Sequence, residues 1–368
     1  MIGPRRACIL LMAILLSASA FGAAKERTPI VLKRANTLTS SEENGQRKQE
    51  LIGSVEITKD SLDVTCEHAT YYPDSGIVIF RDNVVFKTPN RIMFADEVTY
   101  NENTEAVHAS SRVRDYQGDS LSAMARTADY FDRLKGGYLY DDVKLREDNR
   151  RLEITGQRAF GDNDRRYAWV TVHPVATEFD SLHNVLSRVW GDTIEYFGDS
   201  KNMRVLGHVK VDRDSMIATG TTLDYLTQEH YAILLGSPQA VRGDDHIVGD
   251  TIRLFFEKQK QVLDSVEVFG HAVATSPADS GMPKPVNRME GKHMTLYIDS
   301  GQISTVLVKG TATATYYIRE KTEKRGMNVT SGDILRVFFV DRKIDRIRVE
   351  GGTQGMYTPQ RLVNKPNA

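Results

Sequence analysis

The stretch from Gly249 to Thr275 constrains this chain most, because the remainder repeats it. It opens with Gly249-Asp250, after which Ile252, Leu254 and Phe256 alternate with Thr251, Arg253 and Phe255. A polar patch from Glu257 to Gln261 breaks the run, and alternation resumes through Val266, Val268, Gly270, Ala272 and Ala274. Period-two alternation on both sides of a short polar break predicts two antiparallel strands joined by a tight loop. One face of that hairpin is apolar throughout, and a lone hairpin does not hold in water. The unit needs neighbours of its own kind.

The sequence supplies them. Gly332-Asp333 leads Leu335 and Val337, and the run Ile344 to Gly351, with Ile347 and Val349, matches Leu263 to Gly270. A third copy runs from Gly291 through Met294 and Leu296 to Val306, Val308 and Gly310, and a fourth from Gly191-Asp192-Thr193-Ile194 to Gly207. With Gly270 as anchor, equivalent positions fall at Gly53, Asp82, Ser111, Asp141, His173, Gly207, Gly236, Gly310 and Gly351, spaced 29 to 41 residues apart. Self-similarity at such a period is the signature of a repeat architecture. The expectation is an all-β chain of about ten antiparallel hairpin units.

The anchor glycine speaks to shape. It sits inside a strand, where glycine is unfavourable unless the backbone bends or packs closely. Repeated once per unit, it predicts that each long strand folds over at a corner, giving two sheets with opposed apolar faces. The alternative is an ordinary turn residue in a meander. On the corner reading, Ile252, Leu254, Val266, Val268, Met294, Leu296, Val306, Val308, Leu335, Val337, Ile347 and Val349 line the interior, and alanine recurs at Ala232, Ala272, Ala312 and Ala314. A dry core and a groove for alkyl chains both use such residues.

Residues 1–24 read as a segment outside the fold. Arg5 and Arg6 precede a ten-residue apolar run from Ala7 to Leu16, followed by small residues such as Ala18-Ser19-Ala20. That is the order of a secretory signal, too short to span a bilayer. Its removal takes Arg5 and Arg6 from 48 basic residues, leaving 46 against 49 acidic and a net charge of −3. Such a balance does not point to nucleic acid. Cys66 is then the only cysteine, so no internal disulfide is expected. Two β lobes are expected, residues 25–178 and 179–358, with a tail at 359–368. Strand signals begin only at Leu51 to Thr58. Residues 173–190, with Pro174, read as an irregular connection with room for a short helix. The prolines at 277, 283 and 285 predict an exposed loop over 276–285, and 318–330 reads as either an extended hairpin or a loop.

Catalysis should leave a constellation, and none stands out. The chain has no phosphate-loop, zinc-protease or nucleophile-elbow motif. Asp141-Asp142 and Asp244-Asp245 fall in expected turns, where aspartate is favoured for local reasons. His208 and His271 share the position after the anchor glycine, but Thr311 and Gly352 hold it in other copies, which argues for an exposed stripe over a metal site. No cofactor is expected.

The G-D-T-I opening at Gly191 and Gly249, Gly332-Asp333, and the return strands ending at Gly270, Gly310 and Gly351 resemble the OstA-like, or LptA-like, family of periplasmic lipopolysaccharide-transport proteins. Gly351-Gly352 to Met356-Tyr357-Thr358-Pro359 resembles the closing segment of longer OstA-like chains. The resemblance covers nearly all of residues 50–358 through short, degenerate motifs, and repetition gives it weight. It implies a folded-over antiparallel β-jellyroll, or β-taco, whose apolar interior holds acyl chains. It also implies a non-enzymatic periplasmic bridge component, free in the periplasm or peripheral to the outer membrane. Lipopolysaccharide or a related glycolipid would be its cargo, and other bridge proteins its partners, through edge-strand pairing or head-to-tail self-association. The chain is longer than a single-module bridge protein and lacks the long run of alternating strands of an outer-membrane barrel. Two other classes remain in view. One is an exported β-solenoid enzyme acting on polysaccharide; the other is a structural envelope protein with a dry core.

Overall fold

A computed structural model describes residues 30–363 apart from 60, 132–134, 163, 258–261, 279–285, 321–322 and 342. The expected signal segment and the final residues 364–368 lie outside the described residues; of the loop expected over 276–285, Ser276 and Pro277 belong to the strand Leu263–Pro277 and 279–285 lie outside the described residues. Among the described residues strand after strand follows, pairing antiparallel, with a 3-10 turn at Asp148–Arg150 and a short helix at Gln360–Val363. Internal contacts divide the chain into two units. The first runs to Arg188 and includes Asp192–Lys201; the second comprises Val189–Gly191 and the chain from Asn202 onward.

Within each unit the strands fold over at corners, and the corners fall where the repeat anchors fall. Gly53-Ser54, Asp82-Asn83, Ser111-Arg112 and Asp141-Asp142 are pairs of consecutive left-handed residues, as are Gly207-His208, Gly236-Ser237, Gly270-His271, Gly310-Thr311 and Gly351-Gly352. Two such residues oppose one on the neighbouring strand. Phe269 pairs with His293 and Ala272 with Gly291, so Gly270-His271 face Lys292 alone. This two-against-one count is a β-bulge, which bends the strand and raises its twist. The corner near residue 173 is one residue earlier than the repeat phase places it. The left-handed pair is Val172-His173, and the Gln157 amide donates to the Val172 carbonyl. The anchor equivalent is therefore Val172, where a β-branched residue hides the repeat from view.

Each corner divides a strand into two arms. The strand Gln46–Lys59 contributes 46–52 to what we call the upper arm and 55–59 to the lower; Leu263–Pro277 contributes 263–269 and 272–277. Consecutive strands are joined at the ends of the arms away from the corner. Some of these joins are tight two-residue turns, such as Asn44-Gly45 and Ser300-Gly301, whose positive φ values suit a hairpin.

The corner also explains the residues that open each unit. A Cβ on Gly249, Gly291 or Gly332 would lie 2.4, 2.5 or 2.6 Å from the Cγ1 of Val268, Val308 or Val349. Only glycine lets these valines of the upper arm approach the lower-arm backbone so closely. In the first unit the buried small residues Cys66, Ala95 and Ala125 hold the same seat.

Two regions differ from the sequence expectation, and in a third the structure decides between two alternatives. Strands begin earlier than Leu51, with Val31–Arg34 and Thr37–Glu43, whose every residue is exposed. With no buried face, they carry no alternation to read. The segment 173–190 is two strands, Val175–Phe179 and Val185–Trp190, rather than a helix. Asp180 closes their turn by accepting from the Leu182 and Asn184 amides, each at 2.8 Å. Around residue 320 the extended hairpin wins over the loop, in strands Gln302–Glu320 and Glu323–Val340.

Candidate functional site

The interior between the arms is built from cross-strand rows. In the second unit, Ile252, Val268, Met294, Val308, Leu335 and Val349 pair in succession across six strands. Leu254, Val266, Leu296, Val306, Val337 and Ile347 form the next row. The twelve residues singled out from periodicity are thus two adjacent rows on one face of the upper arm. Ten of them are at most 4% exposed. Ile347 and Val349, on the strand Lys343–Glu350, are half-buried.

The sequence reading named this wall and left the opposite one incomplete. On the lower arm, Val211, Ala218, Ala240, Ile247, Ala274, Met289 and Ala314 pair in succession. Nearer the corner stand Ala272 and Ala312, both fully buried. One wall is therefore branched and medium-sized, and the facing wall is rich in alanine.

In the first unit both walls are mixed. Its lower arm carries Ile57, Leu62, Val64, Phe86, Met93 and Leu145 beside Ala95, Ala123 and Ala125, and its upper arm carries Val78, Phe80, Val98, Tyr100 and Leu139 beside Ala69, Ala109, Ala128 and Ala159. An apolar opening with a cavity volume of about 40 Å³, continuous with solvent, lies among Ile30, Ile57, Leu62, Val64, Val78, Phe80 and Phe86, with Lys59 and Tyr100 also at its wall. Deeper polar groups are paired: Arg91, 9% exposed, meets Asp115, 8% exposed, with two hydrogen bonds from its guanidinium to the two carboxylate oxygens. Neither residue was legible as interior, since a charged pair reads as surface when its partner is 24 positions away.

The ends of the arms away from the corner are tied to each other. Lys59, ending a lower-arm strand, donates to the Tyr100 hydroxyl of the upper arm at 3.1 Å and lies 5.3 Å from that ring's centre. Arg150 donates to Tyr196 at 3.2 Å in the same way. In the second unit Arg213 stands 5.1 Å from the Phe256 ring centre, and Arg242 donates to the Gly301 carbonyl at 2.9 Å. Each tie sets a lower-arm cation against an uncharged upper-arm ring or carbonyl. No local motif announces them.

Elsewhere Glu147, at 2% exposure, is a further buried charged residue, and two histidine–carboxylate pairs lie at the corners. His271 is 92% exposed at its side chain and approaches Asp250 at 3.1 Å; His68 approaches Asp82 at 2.7 Å. Among the described residues no group of three or more His, Cys, Asp or Glu side chains is placed to hold a metal ion. Cys66 is buried, and burial pushes its thiol up to about 12. No helix of the described residues is long and apolar enough to cross a membrane.

Comparison with known proteins gives one family. Residues 76–157 match the OstA-like protein family. The match lies wholly in the first unit and spans the corners built on Asp82, Ser111 and Asp141 rather than on glycine. No curated protein matches. Among solved structures, similarity is found to the crystal structure of LptH, the LptA homologous periplasmic component of the conserved lipopolysaccharide transport device from Pseudomonas aeruginosa. The identity is 13% and the TM-score 0.31, over 39% of this chain and 95% of that one.

Proposed function

With an OstA-like segment at residues 76–157 set in a fold of antiparallel arms bent over an apolar interior, we propose that this chain is an exported lipid carrier. It takes the acyl chains of lipopolysaccharide or a related glycolipid between its arms, as a periplasmic bridge component between inner and outer membranes. The observation that carries this reading is the pair of unbroken apolar rows, from Ile252 to Val349 and from Leu254 to Ile347. They run across the strands of the second unit, so a chain lying along them passes from strand to strand without meeting a charge. Each ligand methylene removed from water there contributes about 0.8 kcal/mol, so several acyl chains suffice for tight binding without a charged site. The Lys and Arg side chains at the arm ends stand where a phosphorylated head group would emerge.

One observation favours a second reading. The ten best-buried lining residues are packed to 4% exposure or less, as a dry core would be. A photo-crosslinking residue at Val268, and another at Glu267 on the opposite face, separates the two readings in cells exporting lipopolysaccharide. Capture of the lipid from Val268 and not from Glu267 is the expected result. Equal capture from both, or none from either, favours the dry core.

A further inference from the structure

The four ties between arm ends share a chemistry that the lining rows do not explain. In each, the cation comes from the lower arm and the partner from the upper arm. The cation lies 41, 46, 43 or 59 positions before its partner, so no hairpin brings them together. Most cations near arm ends have carboxylates: Lys33 has Asp63, Arg47 has Asp74, and Arg91 has Asp115. Lys59 does not. It is half-buried at the wall of the apolar opening, held by a phenol and a ring face, with no carboxylate of the described residues in salt-bridge reach. A half-buried ammonium with only an uncharged partner has given up water without gaining a counter-charge.

We propose that Lys59 is a head-group site and its tie to Tyr100 the entry latch of the opening: an amphiphile with one acyl chain and an anionic phosphate enters there. The chain enters between the arms through the opening lined by Ile57, Val64, Phe80 and Phe86, and the ammonium leaves the Tyr100 hydroxyl for the phosphate oxygens. Trading a neutral acceptor for a charged one roughly doubles the strength of such a hydrogen bond. Closure is then cheap to undo for an anionic lipid and remains in place for a neutral one. The inference rests on the reading of the interior as an acyl-chain site and adds the charge selectivity of one entry point.

The test uses the full chain with two probes of equal acyl length, oleoyl lysophosphatidic acid and monoolein, each titrated against a bound fluorescent naphthylamine. The native chain should bind lysophosphatidic acid about tenfold more tightly than monoolein. Lys59→Met should erase that preference by weakening the phosphate lipid alone, Lys59→Arg should keep it, and Tyr100→Phe should leave the phosphate lipid bound at least as tightly as before. The denaturation midpoint of each variant is measured alongside, and Lys59→Gln replaces Lys59→Met should the latter not fold. A native preference that survives both Lys59→Met and Lys59→Gln, or losses equal for both lipids, overturns the head-group site while leaving the carrier reading standing. Binding of neither lipid by the native chain overturns both.

Discussion

Asp250 and Gly270 meet across a corner: the Asp250 amide donates to the Gly270 carbonyl at 3.0 Å, and a Cβ on Gly270 would lie 2.1 Å from Asp250 Oδ2. Asp333 and Gly351 repeat the relationship, with the amide bond at 2.9 Å and the Cβ contact at 2.2 Å. The glycine therefore answers two demands, a φ of 65° and a carboxylate packed against its α-carbon. The preceding glycine answers a third, the close approach of an interior valine. These contacts give the Gly-Asp opening of the repeat its physical meaning.

The interior contact is testable as a cycle. Gly249→Ala sets a methyl 2.4 Å from Val268 Cγ1 and should cost about 1–3 kcal/mol by overpacking. Val268→Ala alone should cost about 2–3 kcal/mol, a little above an Ile→Val deletion. Combined, they should cost less than their sum, because the second substitution makes room for the first. Urea denaturation of the four proteins measures the coupling, and strict additivity would place the valine elsewhere.

Cys66 reports on folding. Its thiol is 5% exposed and pushed up to about 12, so at pH 8 it should resist iodoacetamide in the native chain lacking residues 1–24. Reaction should appear only with unfolding, following the loss of β-sheet circular dichroism across a urea series. Rapid labelling without denaturant would place Cys66 at the surface.

Acid should weaken the fold in a defined window. The Arg47 hydrogen bond holds the Asp74 carboxyl below its ordinary range, Arg112 does the same for Asp96, and the Thr58 hydroxyl followed by Lys33 does so for Asp63. A depressed folded pKa gives stability that is present above the unfolded value, about 3.9, and lost as pH falls through the folded value. The denaturation midpoint should hold steady from neutral pH to about 5 and fall below about 4. These carboxylates are near the surface, so the loss should be modest and reduced by salt. Arg112→Gln should remove part of the slope.

The outermost strands should mediate association. Leu38, on Thr37–Glu43, is 55% exposed and Met356, on Gln354–Pro359, is 61% exposed. Among the described residues each of these strands pairs with one neighbour only, leaving the other edge open to strand addition. Sedimentation velocity should show concentration-dependent association, weakened by Leu38→Lys and by Met356→Lys through charge placed on an edge. Unchanged association in both variants would put the contact elsewhere.

Period-two alternation and the recurring glycine sufficed to determine the strands from Leu51 onward outside 173–190, nine of the ten corners, and the two upper-arm rows from Ile252 to Val349 and Leu254 to Ile347. These are local properties: side-chain alternation and positive φ are written within a few residues of where they act. Tertiary structure decided what those rows face. The alanines at 240, 274 and 314, the buried Arg91–Asp115 pair and the Lys59–Tyr100 tie depend on how far each strand bends and twists before its arms meet, a sum over many residues that no single one encodes. The exposed strands Val31–Arg34 and Thr37–Glu43 escaped the sequence reading for a related reason. They are held by backbone pairing to Gln46–Lys59, and a backbone hydrogen bond leaves no mark on side-chain pattern.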